Sequence, residues 1–219
     1  MAERETGQRD AVLARLRAAT AHEPPANHAH PAPAATHNAP TIGFRLLDGT
    51  DVVDLFARTA VDAGAKVGRE LDVDDVVARY GIARAVATAE PAVEPVIDAL
   101  RAAGVEVADA SDVDAAAAAD LGVTSCRAAI AATGTVVLGS DVPGARWASL
   151  LPRVHLCVVP AALVVPSPGE VLRRFSAAEP PPSGLWFVTG PSRTGDIEQI
   201  LTRGVHGPVA VEVALMSAT

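Results

Sequence analysis

The chain lacks the short motifs that announce redox or nucleotide chemistry. No G-x-G-x-x-G follows a strand-like run, and no G-x-x-x-x-G-K-[ST] occurs; Gly190 and Gly195 have the outer spacing of the latter, but Asp196 stands where its lysine would be. No Cys-x-x-Cys is present. Two isolated cysteines, Cys126 and Cys157, can neither build a disulfide framework nor hold an iron–sulfur cluster of the four-cysteine kind. No G-x-S-x-G turn offers an activated serine. These absences exclude an oxidoreductase or hydrolase built on any of those motifs.

Other scarcities narrow the class further. Aromatic residues make up 3% of the chain, so the core must come mainly from Val, Leu, Ile and Ala. No apolar run approaches a membrane span; the best, Leu156 to Val165, is interrupted by Pro160. The opening MAERETGQRD is charged, with no apolar stretch behind it, which argues against a secretory leader. Two cysteines suit the cytoplasm, the expected location. A formal net charge of -8 argues against a nucleic-acid partner, which needs a concentrated basic face.

What is present reads as one α/β domain with an amino-terminal extension. Residues 9–19 place Val12, Leu13 and Leu16 on one helical face, a short docking helix. His22 to Pro40 is rich in Pro, Ala and His, the composition of a tether, and residues 1–40 are assigned to this extension. Its histidines, His22, His28, His30 and His37, are irregularly spaced without acidic or thiol neighbours, so no metal site is assigned. The single domain then covers residues 41–219. Helices are expected at Val52–Ala63, Asp72–Tyr80, Glu94–Ala103 and Pro168–Phe175, and strands at Lys66-Val67, Arg84–Thr88, Val105–Val107, Val154–Val159 and Val209–Met216. Ala128–Ala132 and Thr135–Leu138 read as a hairpin or a kinked strand hinged at Thr133-Gly134. The strand-helix-strand rhythm predicts an open, largely parallel sheet flanked by helices.

The candidate site centres on Gly184 to Pro208. Leu185-Trp186-Phe187-Val188 reads as a short buried strand, and Ile197, Ile200 and Leu201 have the spacing of a helix beginning at Asp196. Between them lie Ser192, Arg193, Thr194 and Gly195. Strand, loop and helix of this composition predict an anion site, since the first amides of a helix lack partners. A guanidinium adds a fork that fits a carboxylate or phosphate. His206, an imidazole suited to acid–base work, follows between Gly204 and Gly207. The turn Thr133-Gly134-Thr135, whose glycine admits close backbone approach, is the third component. Each has a plainer use: Asp196 and the hydroxyls as helix caps, Arg193 as a partner of Asp196 or Glu198, His206 on a backbone carbonyl. His155, inside an apolar strand, reads as a core histidine. Cys126 reads as exposed and Cys157 as buried.

Taken in order, Ala131 to Leu138 (A-x-T-G-T with an apolar tail), Ser149 to His155 (S-L-L-P-x-V-H), G-P-S-R-T-x-D-I-E and G-V-H-G-P resemble the lactate-utilisation protein C family, whose shared module is the LUD domain. The leading helix is similar too, so the resemblance covers nearly the whole chain. It implies a fold like that of the sugar-phosphate isomerase and CoA-transferase group. It also implies a part in oxidising L-lactate to pyruvate alongside two partner proteins that carry iron–sulfur clusters, with no cofactor in this chain and a small carboxylate or phosphate as ligand. No catalytic set carries over. Relatives often have Asp or Glu just before Thr-Gly-Thr, where this chain has Ala132. A free-standing enzyme acting on sugar phosphates or CoA thioesters, and a pure scaffold, are the competing classes.

Overall fold

The structure, a computed structural model, describes residues 49–178, 180, 182–195, 201–203 and 206–216. The docking helix at 9–19, the tether to Pro40 and the domain boundary lie outside the described residues.

Short helices with well-marked ends alternate with short strands. Helix α1 (Val52–Asp62) is capped by Asp51, whose carboxylate accepts from the amides of Val53 (2.8 Å) and Asp54 (3.1 Å). Strand β1 (Lys66–Gly68) leads to α2 (Val73–Tyr80), which Asp72 caps and Gly81 ends in the left-handed region. Then come β2 (Arg84–Ala87), α3 (Glu94–Ala102), β3 (Glu106–Asp109), α4 (Val113–Ala118) and β4 (Leu121–Thr124). A tight pair, β5 (Ala128–Ile130) and β6 (Thr135–Gly139), precedes α5 (Ala145–Leu150) and β7 (Val154–Pro160). After β8 (Val164–Val165) and α6 (Pro168–Ser176) follow β9 (Leu185–Val188), β10 (Arg193–Gly195), β11 (Leu201–Arg203) and β12 (Ala210–Met216). Among the described residues no helix is long and apolar enough to cross a membrane.

Six strands form one wholly parallel sheet in the order β1-β12-β7-β4-β2-β3. The expected α/β class and parallel pairing are therefore observed. Side chains on a strand alternate between faces, and β7 shows how both are filled. Val154, Leu156 and Val158 pack with Val96 and Leu100 of α3, and Val73 and Val77 of α2 join the same cluster. Cys157 and Val159 face Phe56 and Ala60 of α1 on the opposite side.

A second sheet, in the order β8-β5-β6-β9, joins that opposite side and was not foreseen as a separate layer. Its Ala129, Val136 and Leu138 share the core with α1, while Ala128, Ile130 and Val137 pack outward against Val171 of α6. The expected hairpin is β5–β6, paired antiparallel.

One buried carboxylate is built into the fold. Glu212 of β12 is 7% exposed and accepts from the Tyr80 hydroxyl (2.5 Å) and Arg79 (3.1 Å), with the Lys66 ammonium 3.9 Å away. Burial, followed by this carboxylate, raises the Tyr80 pKa. Cys126 proves buried, like Cys157, and both thiols belong to the core shared by α1 and the two sheets.

Candidate functional site

The stretch read as strand, loop and helix folds differently. Arg193–Gly195 is strand β10, paired antiparallel with Leu201–Arg203, so Leu201 is in a strand and not on a helix. Asp196 and the rest of the expected helix start, residues 196–200, lie outside the described residues. Strand β9 is the edge of the second sheet among the described residues, and only half-buried, where a buried strand was expected.

Several predicted residues nevertheless meet around one cleft of about 500 Å³. Arg146, Ser149 and Leu150 of α5 form one wall, Trp186 to Val188 of β9 another, and Thr189 to Arg193 with His206 to Pro208 the rest. A hydrogen bond from the Ser192 amide to the Pro208 carbonyl (2.9 Å) joins the two motif segments. The cleft lies beside the amino ends of β7 and β12, because Val209, just before β12, donates to the carbonyl of Arg153, just before β7 (2.8 Å). Open α/β sheets usually bind ligands at the opposite, carboxyl end. Here the chain passes from β4 into the second sheet after three residues, so that end continues into protein.

Arg193 is exposed, and its guanidinium donates to the Ala63 carbonyl at the end of α1 (2.8 Å). A cation there also complements the negative end of the helix dipole. That bond uses one of the five donors of the guanidinium. The plainer reading of Arg193 as a partner of Asp196 or Glu198 falls on residues outside the described ones; its described partner is this carbonyl. His206 is exposed at the cleft, opposite no carboxylate among the described lining residues.

The Thr-Gly-Thr turn reaches the cleft indirectly. Thr133 and Thr135 share a hydrogen bond (2.6 Å), and the Thr135 hydroxyl bonds that of Thr189 (2.8 Å), which lines the cleft. The turn therefore steadies Thr189 and does not itself line the cleft. Gly134 makes its close approach to the protein's own helix: at φ +63°, a Cβ there would stand 2.2 Å from the Ala60 nitrogen. Gly190 is pressed on the other end of α1, 2.1 Å from the Ala63 oxygen by the same measure. Both motif glycines are thus explained by packing against α1.

Arg146, Trp186 and Thr189 were missed. The Arg146 guanidinium lies 5.4 Å from the centroid of Trp147 and 5.7 Å from that of Trp186, near both of the chain's two tryptophans. That pairing was the available signal, since aromatics are so few. No described carboxylate lies within 4.0 Å of Arg146 or Arg193. Two guanidiniums line this concavity, and its described lining residues include no carboxylate. By contrast, a groove of about 650 Å³ between α2 and α3 is lined by Glu70, Asp72, Asp74 and alanines, and repels anions. Among the described residues no group of three or more His, Cys, Asp or Glu is placed to hold a metal ion.

A family model described as the LUD domain matches residues 46–216. Lactate utilization protein C of Halalkalibacterium halodurans is 34% identical over 155 residues, covering 66% of this chain and 67% of that protein. Lactate utilization protein C 1 of Bacillus mycoides is 40% identical over 102 residues (45% and 44%), and the Bacillus subtilis protein C is 38% identical over 103 residues (45% and 43%). The matched segments thus span less than half the length of the latter two relatives. A crystal structure of a DUF162 family protein from Deinococcus radiodurans shares the fold, with a TM-score of 0.52 and 23% identity over 76% of this chain and 96% of that one.

Proposed function

Because the chain belongs to the LUD-domain family of the lactate utilization C proteins, we propose that it is a subunit of a cytoplasmic system oxidising L-lactate to pyruvate. In this reading it works with iron–sulfur partner proteins, holds no redox centre itself, and binds a carboxylate or phosphate anion in the α5–β9 cleft. The supporting observation is the cleft: segments carrying the family-like motifs bring Arg193, His206 and Ser192 together with Arg146, without a described carboxylate. Oxidation of lactate releases two electrons and two protons, and the electrons pass to an acceptor in the partners. This chain's part is to hold the anion and position it.

Isolation of the full chain from its native cells tests the partnership. Iron–sulfur proteins are expected to co-isolate, in a preparation that reduces an added electron acceptor with L-lactate. A chain that isolates alone and turns over a phosphorylated substrate overturns this reading in favour of a free-standing enzyme.

The anion site has its own test. A charge-assisted guanidinium contact contributes about 1.5–3 kcal/mol, so Arg193→Ala should weaken binding of pyruvate or inorganic phosphate by about ten- to a hundredfold. Arg193→Lys should recover only part, because an ammonium keeps the charge and loses the planar fork. Calorimetry showing unchanged affinity in Arg193→Ala would remove Arg193 from the site and leave it the anchor of α1.

A further inference from the structure

The cleft is larger than a three-carbon acid requires, and its two ends differ in chemistry. On the reading that it binds anions, we infer that its ligand is a phosphorylated compound bearing a planar aromatic ring, of roughly mononucleotide size. A volume of about 500 Å³ lies within the usual range, about 300–1,000 Å³, of clefts that enclose drug-sized molecules. Lactate or pyruvate would occupy the polar end alone.

That polar end consists of Arg193, Ser192 and His206. Arg193 is already fixed by its bond to the Ala63 carbonyl, so little side-chain freedom is lost when an anion binds. Another part of the lining is planar and rich in π electrons: the half-buried indole of Trp186, with the Arg146 guanidinium 5.7 Å from its centroid. The Trp147 ring centroid is 5.4 Å from the same guanidinium. Indole and guanidinium planes are the surfaces on which aromatic rings stack, largely regardless of which ring is presented. A small carboxylate would leave this wall in water. A phosphate joined to a ring uses both ends, and its second negative charge answers the second guanidinium.

Calorimetry on the full chain with inorganic phosphate, AMP, adenosine and L-lactate tests the inference. Phosphate should bind, AMP should bind at least about tenfold more tightly than phosphate, and adenosine more weakly than AMP. Trp186→Leu should abolish the advantage of AMP over phosphate. Fluorescence gives a second readout that needs no change at Trp186: in Trp147→Phe protein, AMP should quench the remaining indole and phosphate should not. AMP binding no tighter than phosphate, or without quenching, overturns the ring assignment while the anion reading stands. Adenosine binding as tightly as AMP overturns the phosphate assignment. Binding of none of the three anions, phosphate, AMP or lactate, overturns the anion reading itself.

Discussion

Gly134→Ala is expected to destabilise the protein by about 3 kcal/mol or more. Two effects add. The residue sits at φ +63°, where an L side chain is strained by about 1–2 kcal/mol. The new methyl would also stand 2.2 Å from the Ala60 nitrogen and 2.4 Å from the Ala60 Cα and the Thr59 carbonyl carbon. These are backbone atoms of α1, not the far end of a side chain that can swing away. The turn cannot lift off cheaply, because Thr59 donates to the Ala131 carbonyl (2.8 Å) and Ala60 is fully buried. Overpacking of this kind adds roughly 1–3 kcal/mol. Urea unfolding of the variant measures the sum. The two uses of this glycine separate in the result: if it made room for a ligand, the variant would keep its stability and lose anion affinity. A change in stability below about 1 kcal/mol contradicts the packing account.

The same glycine shows why the fold was easier to read than the site. Helices α1, α2 and α3 were legible because each has periodic apolar residues between local end signals: Asp51 and Asp72 at the starts, Gly81 and Gly104 at the ends. Strands β2, β7 and β12 were legible as mainly apolar runs, interrupted only by His155 in β7 and Glu212 in β12 after the leading Arg84 of β2, as a strand covered on both faces demands. Helix α4 gave no signal, since Val113–Ala118 is nearly all alanine and has no distinct face. Strand β4 was hidden because Gly122 interrupts it, yet it is central to the sheet. The pairing of β10 with β11 was not legible because Ile197, Ile200 and Leu201 satisfy the helical period, and partners six to ten residues apart leave no local trace. Ser192, Arg193 and His206 were recognised by type and do share a cleft. The turn at Thr133 to Thr135 was recognised too, but its contact runs through Thr189 and its glycine serves α1. Arg146 and Trp186 come from segments far apart in sequence, and only the packing of α5 beside β9 brings them together.

Acid is expected to weaken the fold by about 3 kcal/mol through one residue, His155. Its imidazole is fully buried in β7, and burial alone depresses its pKa from 6.5 to about 4. Nε2 and the Thr124 hydroxyl are 2.9 Å apart, whereas Nδ1 has no described partner. A proton on Nε2 leaves only a bare lone pair at Nδ1, which is less unfavourable than an orphaned donor. Charging the ring would bury a second donor and a positive charge together. Helix α5 closes over this face: the Ala148 carbonyl stands 1.8 Å from where a Cβ on Gly122, the register partner of His155, would lie. Water therefore has little room to relieve the charge. The sign follows from proton counting: between pH 4 and 6.5 the unfolded chain binds the proton and the folded chain does not. The contribution is fully present above about pH 6.5, falls as the pH drops through that window, and is gone below about 4. Asp109 and Asp120 have folded pKa values below the ordinary 3.8, so their own losses come at lower pH and do not overlap much. Comparing the pH dependence of unfolding free energy in wild type and His155→Leu isolates the effect, whatever offset the substitution adds at pH 7. The wild-type curve should fall more steeply between pH 6.5 and 4. Parallel curves, or an imidazole resonance showing His155 protonated near pH 6.5 in the folded protein, would refute it.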